Sequence, residues 1–571
     1  MQKFNYRFLF VILVFLTGKL WAGETPWLVS MQTDRFCYVS GDVAYFKATC
    51  FQAKDSPVAD QTLYADLLSS DSVFIRGYLL HLLNGKANGY FELPDTLTTG
   101  NYQLRIYTDE SRILNHPVLA SQWLYVTNRF GKNQPLYATD SLLPKFADST
   151  SAFTNISAVQ MVFDRSQYKQ RSKVKVQVSL PDGSDETLWA SLTIKSLSQL
   201  ESQIEVLNRE KNKHQEVKVA SNLNEEPHVF SGIKVRGKLV HSQTRQGIPN
   251  AAVLLSFEDS LLRMHYHLTD SLGNFCFYLS RNYGTARAYL NAFDHRSMKP
   301  LANVSFKLFG GFLKPLTINQ DNKSLVGYKS SPDTLNLQKS MVAKAFQLGS
   351  HAFLPRAEVD TLPYAQRYLA GKYTDVVFPS DFVDLVDFAE IAKEILPYIR
   401  YRMVDGAYRF FVIDGPNHLI KEQPLVFVDG IPLVEPDKVA HLNTADIKRV
   451  DVKSQARFYG DLFFENGLVF IWTKKMDFWK QSQSDYNTMV ELQLYQNPIR
   501  FHFPDYSKTA QANIPDFRQT LYWNPEVYLN GKKSQQFEFY TSDEKGVFEV
   551  LLQGITSQGE TVTVRKSFKV E

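Results

Sequence analysis

The sequence predicts a mainly β protein: serial β-sandwich modules plus one small α/β unit. Three observations carry this. Aromatic residues are 13% of the 571 residues, with 29 Tyr and 41 Phe, a composition that suits sandwiches whose cores are filled with rings. Short apolar runs alternate with polar residues and are broken by turn chemistry about every 8 to 12 residues. Between 380 and 475 the pattern changes to one stretch of helical spacing and three apolar runs, LVFVDG, IKRVDV and LVFIWTK, rich in β-branched and aromatic residues. The length suits several domains of about 100 to 200 residues each. With 63 Lys plus Arg against 59 Asp plus Glu, no strong field marks nucleic acid as a partner.

The first residues read as a secretory signal, 1–22. Lys3 and Arg7 give a basic start, Phe8 to Thr17 is a short apolar run, and Leu20-Trp21-Ala22 places a small residue before Gly23. The run is too short to span a bilayer, and no later run reaches about 18 apolar residues, so no transmembrane span is expected. Of the three cysteines, Cys37 and Cys50 lie on apparent strands around the Ser40-Gly41-Asp42 turn. A disulfide between Cys37 and Cys50 is one reading, although a register centred there sets Cys37 opposite a residue near Ala44 or Tyr45; the other is three buried free thiols, Cys276 included.

Residues 23–128 form the first sandwich, with Tyr102, Leu104 and Ile106 alternating toward one face behind the Thr99-Gly100-Asn101 turn. The stretches YVSGDVAYFKA and LPDTLTTGNYQLRIYT are similar to macroglobulin-like domains. A protease-trapping macroglobulin needs a thioester-forming Cys-Gly-Glu-Gln, and the cysteines here stand in FCYV, ATCF and NFCF, so that chemistry is not expected. A polar linker, 129–157, leads to a second sandwich, 158–232. There Val174, Val176 and Val178 alternate before Pro181-Asp182-Gly183, read as hairpin chemistry, and KQRSKVK is read as a solvated strand face. The charged segment from Glu201 to Asn224 is read as a loop insertion.

Residues 233–297 have their own signature. IKVRGKLVHSQTRQGIPNAAVLLSFEDS followed by HLTDSLGNFCFYLSRNYGTARAYLNAFD resembles the regulatory-domain fold of carboxypeptidases. In its turn Asp270 accepts backbone N–H bonds, Gly273 takes positive φ and Phe275 drops into the core, and the same device is expected at Asp543, Gly546 and Phe548. His265 and His267 stand two apart on a strand and share a face that could ligate a metal, but with only two ligands visible and no carboxylate or cysteine placed to complete them, an exposed strand face is the better explanation of the spacing.

After a linker, 298–355, the unit 356–475 begins. SDFVDLVDFAEIAKEIL has Phe382, Leu385, Phe388, Ile391 and Ile395 at helical spacing, with Ser380 or Asp381 as cap and Pro397 as limit. Asp384, Asp387 and Glu390 fall on the face opposite that stripe and are read as solvated, not as catalytic carboxylates. Beyond it, PLVFVDGIPL, LNTADIKRVDV, ARFYG and NGLVFIWTKK resemble the plug domain of TonB-dependent outer-membrane receptors of the Bacteroidetes type. The matching positions are Val428, Asp429 and Gly430; Asp446 and Ile447; Tyr459 and Gly460; Thr473 and Lys474. A receptor plug precedes a barrel of some 22 strands, for which fewer than about 100 residues remain here, so the resemblance implies a plug-like domain without its barrel.

The segment 476–571 reads as a C-terminal sandwich, in which Tyr522 and Trp523 form either a sugar-stacking platform or core packing. No nucleophile elbow, zinc-protease helix, phosphate-binding glycine loop or dinucleotide fingerprint occurs. These readings imply no catalytic, cofactor-binding or metal residue and no cofactor. The expected role is a non-enzymatic, exported scaffold of the cell envelope, periplasmic or attached to the outer membrane. Its partner would be an envelope protein such as an outer-membrane barrel or transport complex. The alternative is a surface carbohydrate-binding or adhesive protein.

Overall fold

The computed structural model describes residues 25–130, 159–219, 232–309, 342, 353–355, 369, 372–419 and 423–571, apart from short stretches within these ranges. The expected signal segment, nearly all of the linker 129–157 and most of the linker 298–355 lie outside the described residues. The described chain is mainly β, and it divides into two compact units. The first is 1–231 with 315–357 and 496–571, and the second is 232–314 with 358–495.

In the first unit, the opening sandwich packs a sheet built on Thr25–Thr33, Val43–Gln52 and Lys86–Glu92 against a five-stranded sheet. The latter runs in the order Cys37–Val39, Ala120–Thr127, Gly100–Thr108, Gln61–Ser69 and Phe74–Leu82. Tyr102, Leu104 and Ile106 are buried in this core together with Phe46, Phe91 and Leu63, as their alternation predicts. The Ser40-Gly41-Asp42 turn does not make a hairpin. Cys37–Val39 pairs parallel to Tyr125–Thr127, while Val43–Gln52 belongs to the facing sheet, so the chain crosses between sheets at that corner. Gly41 takes a φ of +82° there, and the Asp42 carboxylate accepts the Val39 N–H at 2.9 Å and an Arg35 guanidinium bond at 2.9 Å. All three cysteines are free. Only Cys50 is fully buried, whereas Cys37 and Cys276 are half-buried.

The second sandwich is assembled from two segments far apart in sequence. Lys173–Ser179 pairs with Gln535–Tyr540, and Thr187–Ser196 lies between Thr520–Asn530 and Gly546–Thr556. Strands of the segments 158–232 and 476–571, expected as separate modules, therefore share both sheets of one sandwich, while Thr488–Gln493 of the later segment belongs to the second unit. Neither half alone closes a core: Val174, Val176 and Val178 are fully buried against Phe537, Phe539, Phe548 and Val550. Lys173–Ser179 and Thr187–Ser196 lie in different sheets, so they do not form the hairpin expected around Pro181 and Gly183; Asp182 lies outside the described residues. Lys173 and Lys175 do face solvent, pairing across the strands with Glu538.

In the second unit, a sandwich carries one sheet of Asn274–Leu279, Ile233–His241 and Val304–Leu308. Its other sheet runs Met264–Leu268, Ala251–Phe257, Thr285–Asp294 and Thr488–Gln493. The last of these strands comes from beyond the α/β unit. That unit is a five-stranded sheet in the order Asp375–Val377, Ile447–Lys453, Leu468–Thr473, Leu425–Val428 and Ile431–Leu433. Its Val426, Val428, Val450 and Ile471 face the helix Phe388–Glu394 and the hairpin of Ile399–Val404 and Ala407–Asp414. Its Phe427, Phe470 and Trp472 face Ala252, Leu254, Met264 and Phe293 of the sandwich, so both faces of the sheet are covered.

The helix is shorter than its apolar spacing predicts, because an N-cap competes inside the pattern. The Asp387 carboxylate caps the helix by accepting the Glu390 N–H at 3.1 Å, and the Glu390 carboxylate accepts the N–H of Val386, one residue before the cap, at 2.7 Å, an arrangement close to a capping box. Phe382 lies outside the helix, 49% exposed, behind a 3-10 turn at Pro379–Asp381.

Candidate functional site

Leu425–Val428 and Ile431–Leu433 are joined by the two-residue loop Asp429-Gly430, with φ of +49° and +85°, the geometry of a tight hairpin. The side chain of Asp429 turns inward. It is fully buried and accepts bonds from the Thr473 N–H at 2.7 Å and the Thr473 hydroxyl at 2.6 Å, and burial raises its pKa. Trp479 Nε1–H donates to the Val428 carbonyl at 2.7 Å, closing the same corner. Asp451, also fully buried, receives Trp472 Nε1–H at 2.8 Å and Arg449 Nε–H at 3.0 Å. Asp446 ends a 3-10 turn capped by Asn443, and its carbonyl accepts the Lys474 N–H at 2.8 Å, just before the buried Ile447.

Tyr459 and Gly460 lie in the hairpin of Arg457–Tyr459 and Leu462–Phe464, which docks on the sandwich. The Tyr459 hydroxyl donates to the Met264 carbonyl at 2.9 Å, and the Asp461 N–H donates to the Tyr266 hydroxyl at 2.9 Å. A Cβ on Gly460 would lie 1.9 Å from that hydroxyl, and its φ is +57°. Glycine is required twice over, by backbone sign and by close approach. The positions that resemble a receptor plug are thus occupied in turn formation, strand ends and docking within this unit.

The other predicted residues do not converge. Asp387 and Glu390 cap a helix, while Asp384 lies outside the described residues. His265 is not on an exposed face: its ring packs edge-on to Phe257, and burial and Arg263 push it down to about 4. Burial also lowers the pKa of His267. Among the described residues no group of three or more His, Cys, Asp or Glu could hold a metal ion. Trp523 is 2% exposed and offers no stacking face, and Tyr522 packs against Phe503 at 4.8 Å between ring centroids. At Asp270 the predicted turn is formed: its carboxylate accepts the Leu272 and Asn274 N–H groups at 2.8 Å each, Gly273 has φ of +85°, and Phe275 is buried.

The corresponding device at Asp543 differs. Phe548 reaches the core, but the Asp543 carboxylate forms a two-point pair with Arg171, 372 residues earlier, at 2.6 Å for each bond. The Arg171 hydrogen bond is the leading cause that holds Asp543 below the usual carboxylate range. Its contribution to stability is present above the unfolded value near 3.8 and is lost as pH falls through the lower folded value. Asp543→Asn is therefore expected to flatten the acid limb of a stability-pH profile measured by denaturant melts. An unchanged slope below pH 4 would refute this.

Two features carry little sequence signal. The charged segment expected as a loop is a helix, Gln199–Asn212, wedged against both sandwiches of the first unit. Glu201 is 4% exposed and accepts the Phe36 N–H at 2.7 Å, the Cys37 N–H at 2.9 Å and the Lys195 ammonium at 2.7 Å. Asn208 satisfies both the N–H and the carbonyl of Trp123, at 2.6 and 3.0 Å, and Arg565 pairs with both Glu205 and Glu549. The available signal was Ser198, whose hydroxyl accepts the Glu201 N–H at 3.1 Å in a Ser-x-x-Glu start pattern. The second feature is a stacked pair, Phe458 and Phe463, on the outer face of the docked hairpin.

No protein-family model matches the chain, and no curated protein matches it. Among solved structures it is similar to Salmonella alpha-2-macroglobulin reacted with methylamine, at 11% identity and a TM-score of 0.24, covering 96% of this chain and 40% of that one. It is also similar to trypsin-activated alpha-2-macroglobulin from Escherichia coli, at 10% identity and a TM-score of 0.24, covering 96% and 42%. FdeC, an Escherichia coli adhesin, aligns at 9% identity and a TM-score of 0.15, covering 51% and 65%. The chain spans less than half the length of the macroglobulins, and at these TM-scores the alignments assign neither family nor activity.

Proposed function

We propose that this chain is a non-enzymatic protein of the cell envelope, exported by its segment 1–22, whose β-sandwiches carry a receptor-plug-like α/β unit as an interaction module. Its partner is an outer-membrane barrel or a transport complex, and it works in the periplasm or attached to the outer membrane. The observation that carries the reading is how the plug-like residues are used. Asp429, Asp451, Tyr459 and Gly460 are spent on internal bonds and docking, and both faces of the sheet are covered. What the unit offers is surface.

The carbohydrate-binding reading is the weaker one, since the burial of Trp523 removes its stacking residue. The test is recovery of the tagged full-length chain from envelope solubilised in mild detergent. A membrane protein is expected in near-equal amount at physiological salt. Recovery of the monomer alone, in protein shown to be folded by its melting transition, would reject the reading.

A further inference from the structure

We propose that the Phe458–Phe463 pair is a docking knob, inserted into an apolar pocket with a basic rim on the protein partner. The inference rests on the interaction reading above and names its surface. Phe458 and Phe463 are cross-strand neighbours with ring centroids 4.4 Å apart and 28° between their planes, and Phe458 is 68% exposed. The hairpin beneath them is fixed from several sides. Tyr459 bonds to Met264, Asp461 bonds to Tyr266, Gly460 abuts the Tyr266 hydroxyl, and Arg457 Nε–H donates to the Leu369 carbonyl at 2.8 Å.

Those bonds hold the hairpin in place without using the outer pair, so among the described residues nothing accounts for an exposed phenyl ring on a rigid mount. Rigidity lowers the ordering cost of binding and is the usual setting of an anchor residue. Neither ring has a polar atom. Tyr and Trp suit half-wet interfaces because one end hydrogen-bonds, whereas two phenylalanines are matched by a dry pocket. The exposed charged residues adjoining them in sequence are acidic, Asp461, which also accepts a bond from the Tyr266 hydroxyl, and Glu465, while Arg457 is turned to the Leu369 carbonyl. An acidic rim around an apolar knob complements a basic rim around an apolar hole.

The experiment compares wild type, Phe458→Ala and Glu465→Lys in the full chain, each recovered from solubilised envelope, with melting measured in parallel. A fourth sample carries a photoreactive phenylalanine at 458. Expected are unchanged melting, loss of co-recovered partner by about tenfold for Phe458→Ala, and a weaker, salt-sensitive loss for Glu465→Lys. The photoreactive chain should crosslink to that same partner. Full retention of the partner by Phe458→Ala would overturn the knob while leaving the interaction reading intact. A crosslink to a second copy of this chain or to lipid would also overturn it. A wild type that recovers no membrane protein rejects both readings.

Discussion

Replacing Glu201 with alanine is expected to destabilise the first unit by about 3 to 5 kcal/mol, the range for breaking a buried ion pair by removing one partner. The change leaves the Lys195 ammonium, with its side chain 3% exposed, with the Glu549 carboxylate at 4.0 Å and the Phe36 ring at 4.8 Å to its centroid in place of the 2.7 Å bond to Glu201. It also leaves the N–H groups of Phe36 and Cys37 without the acceptor that Glu201 provides. Glu201→Gln keeps an acceptor oxygen and should cost less. The double change Lys195→Met with Glu201→Leu should recover much of the loss, because removing both charges also removes their desolvation cost. Thermal melts of the full chain and limited proteolysis at the helix Gln199–Asn212 provide the readout. An Glu201→Ala melting profile that overlays the wild type would show that the helix is an appendage and not the join between the sandwiches.

That helix also shows where the sequence stops being legible. Alternation is a local signal, so Val174, Val176 and Val178 and Tyr102, Leu104 and Ile106 announce their buried faces, and Asp270 with Gly273 announces a turn. Each depends on neighbours within a few residues. Which strands share a sheet is not local. Nothing in the segment 158–232 says that its core is completed by Phe537 and Val550, hundreds of residues later, and a half-sandwich reads like a whole one. The charge density around Glu201 fits a solvated loop as well as it fits a buried network, since burial is decided by Phe36 and Lys195 on other elements. Trp523 poses the same ambiguity from the apolar side: an aromatic residue on a strand has one spelling whether it is a platform or a plug in the core. The Asp429-Gly430 turn is legible in the same local way, as an Asp-Gly step between two apolar runs whose glycine can supply positive φ; that Asp429 takes positive φ as well is seen only in the structure.

The same turn yields the second large expectation. Asp429→Ala should cost about 3 kcal/mol or more, since the buried N–H and hydroxyl of Thr473 each lose an acceptor at about 1 to 3 kcal/mol apiece. Alanine also tolerates the φ of +49° poorly. Asp429→Gly separates the two effects by removing the backbone strain and keeping the loss of acceptors, so it should lie close to alanine if the hydrogen bonds dominate. Asp429→Asn keeps the left-handed backbone and one acceptor oxygen but sets an amide beside two donors, which places it between alanine and wild type. Burial raises the carboxyl pKa above its ordinary 3.8, so its contribution is fully present below that value and is lost as pH rises through the folded value. The stability advantage of wild type over Asp429→Asn, from denaturant melts, should therefore shrink as pH climbs from just under 4 and then level off. An advantage that grows with pH would mean that the Thr473 bonds outweigh the desolvation of the carboxylate, reversing the electrostatic account of this turn.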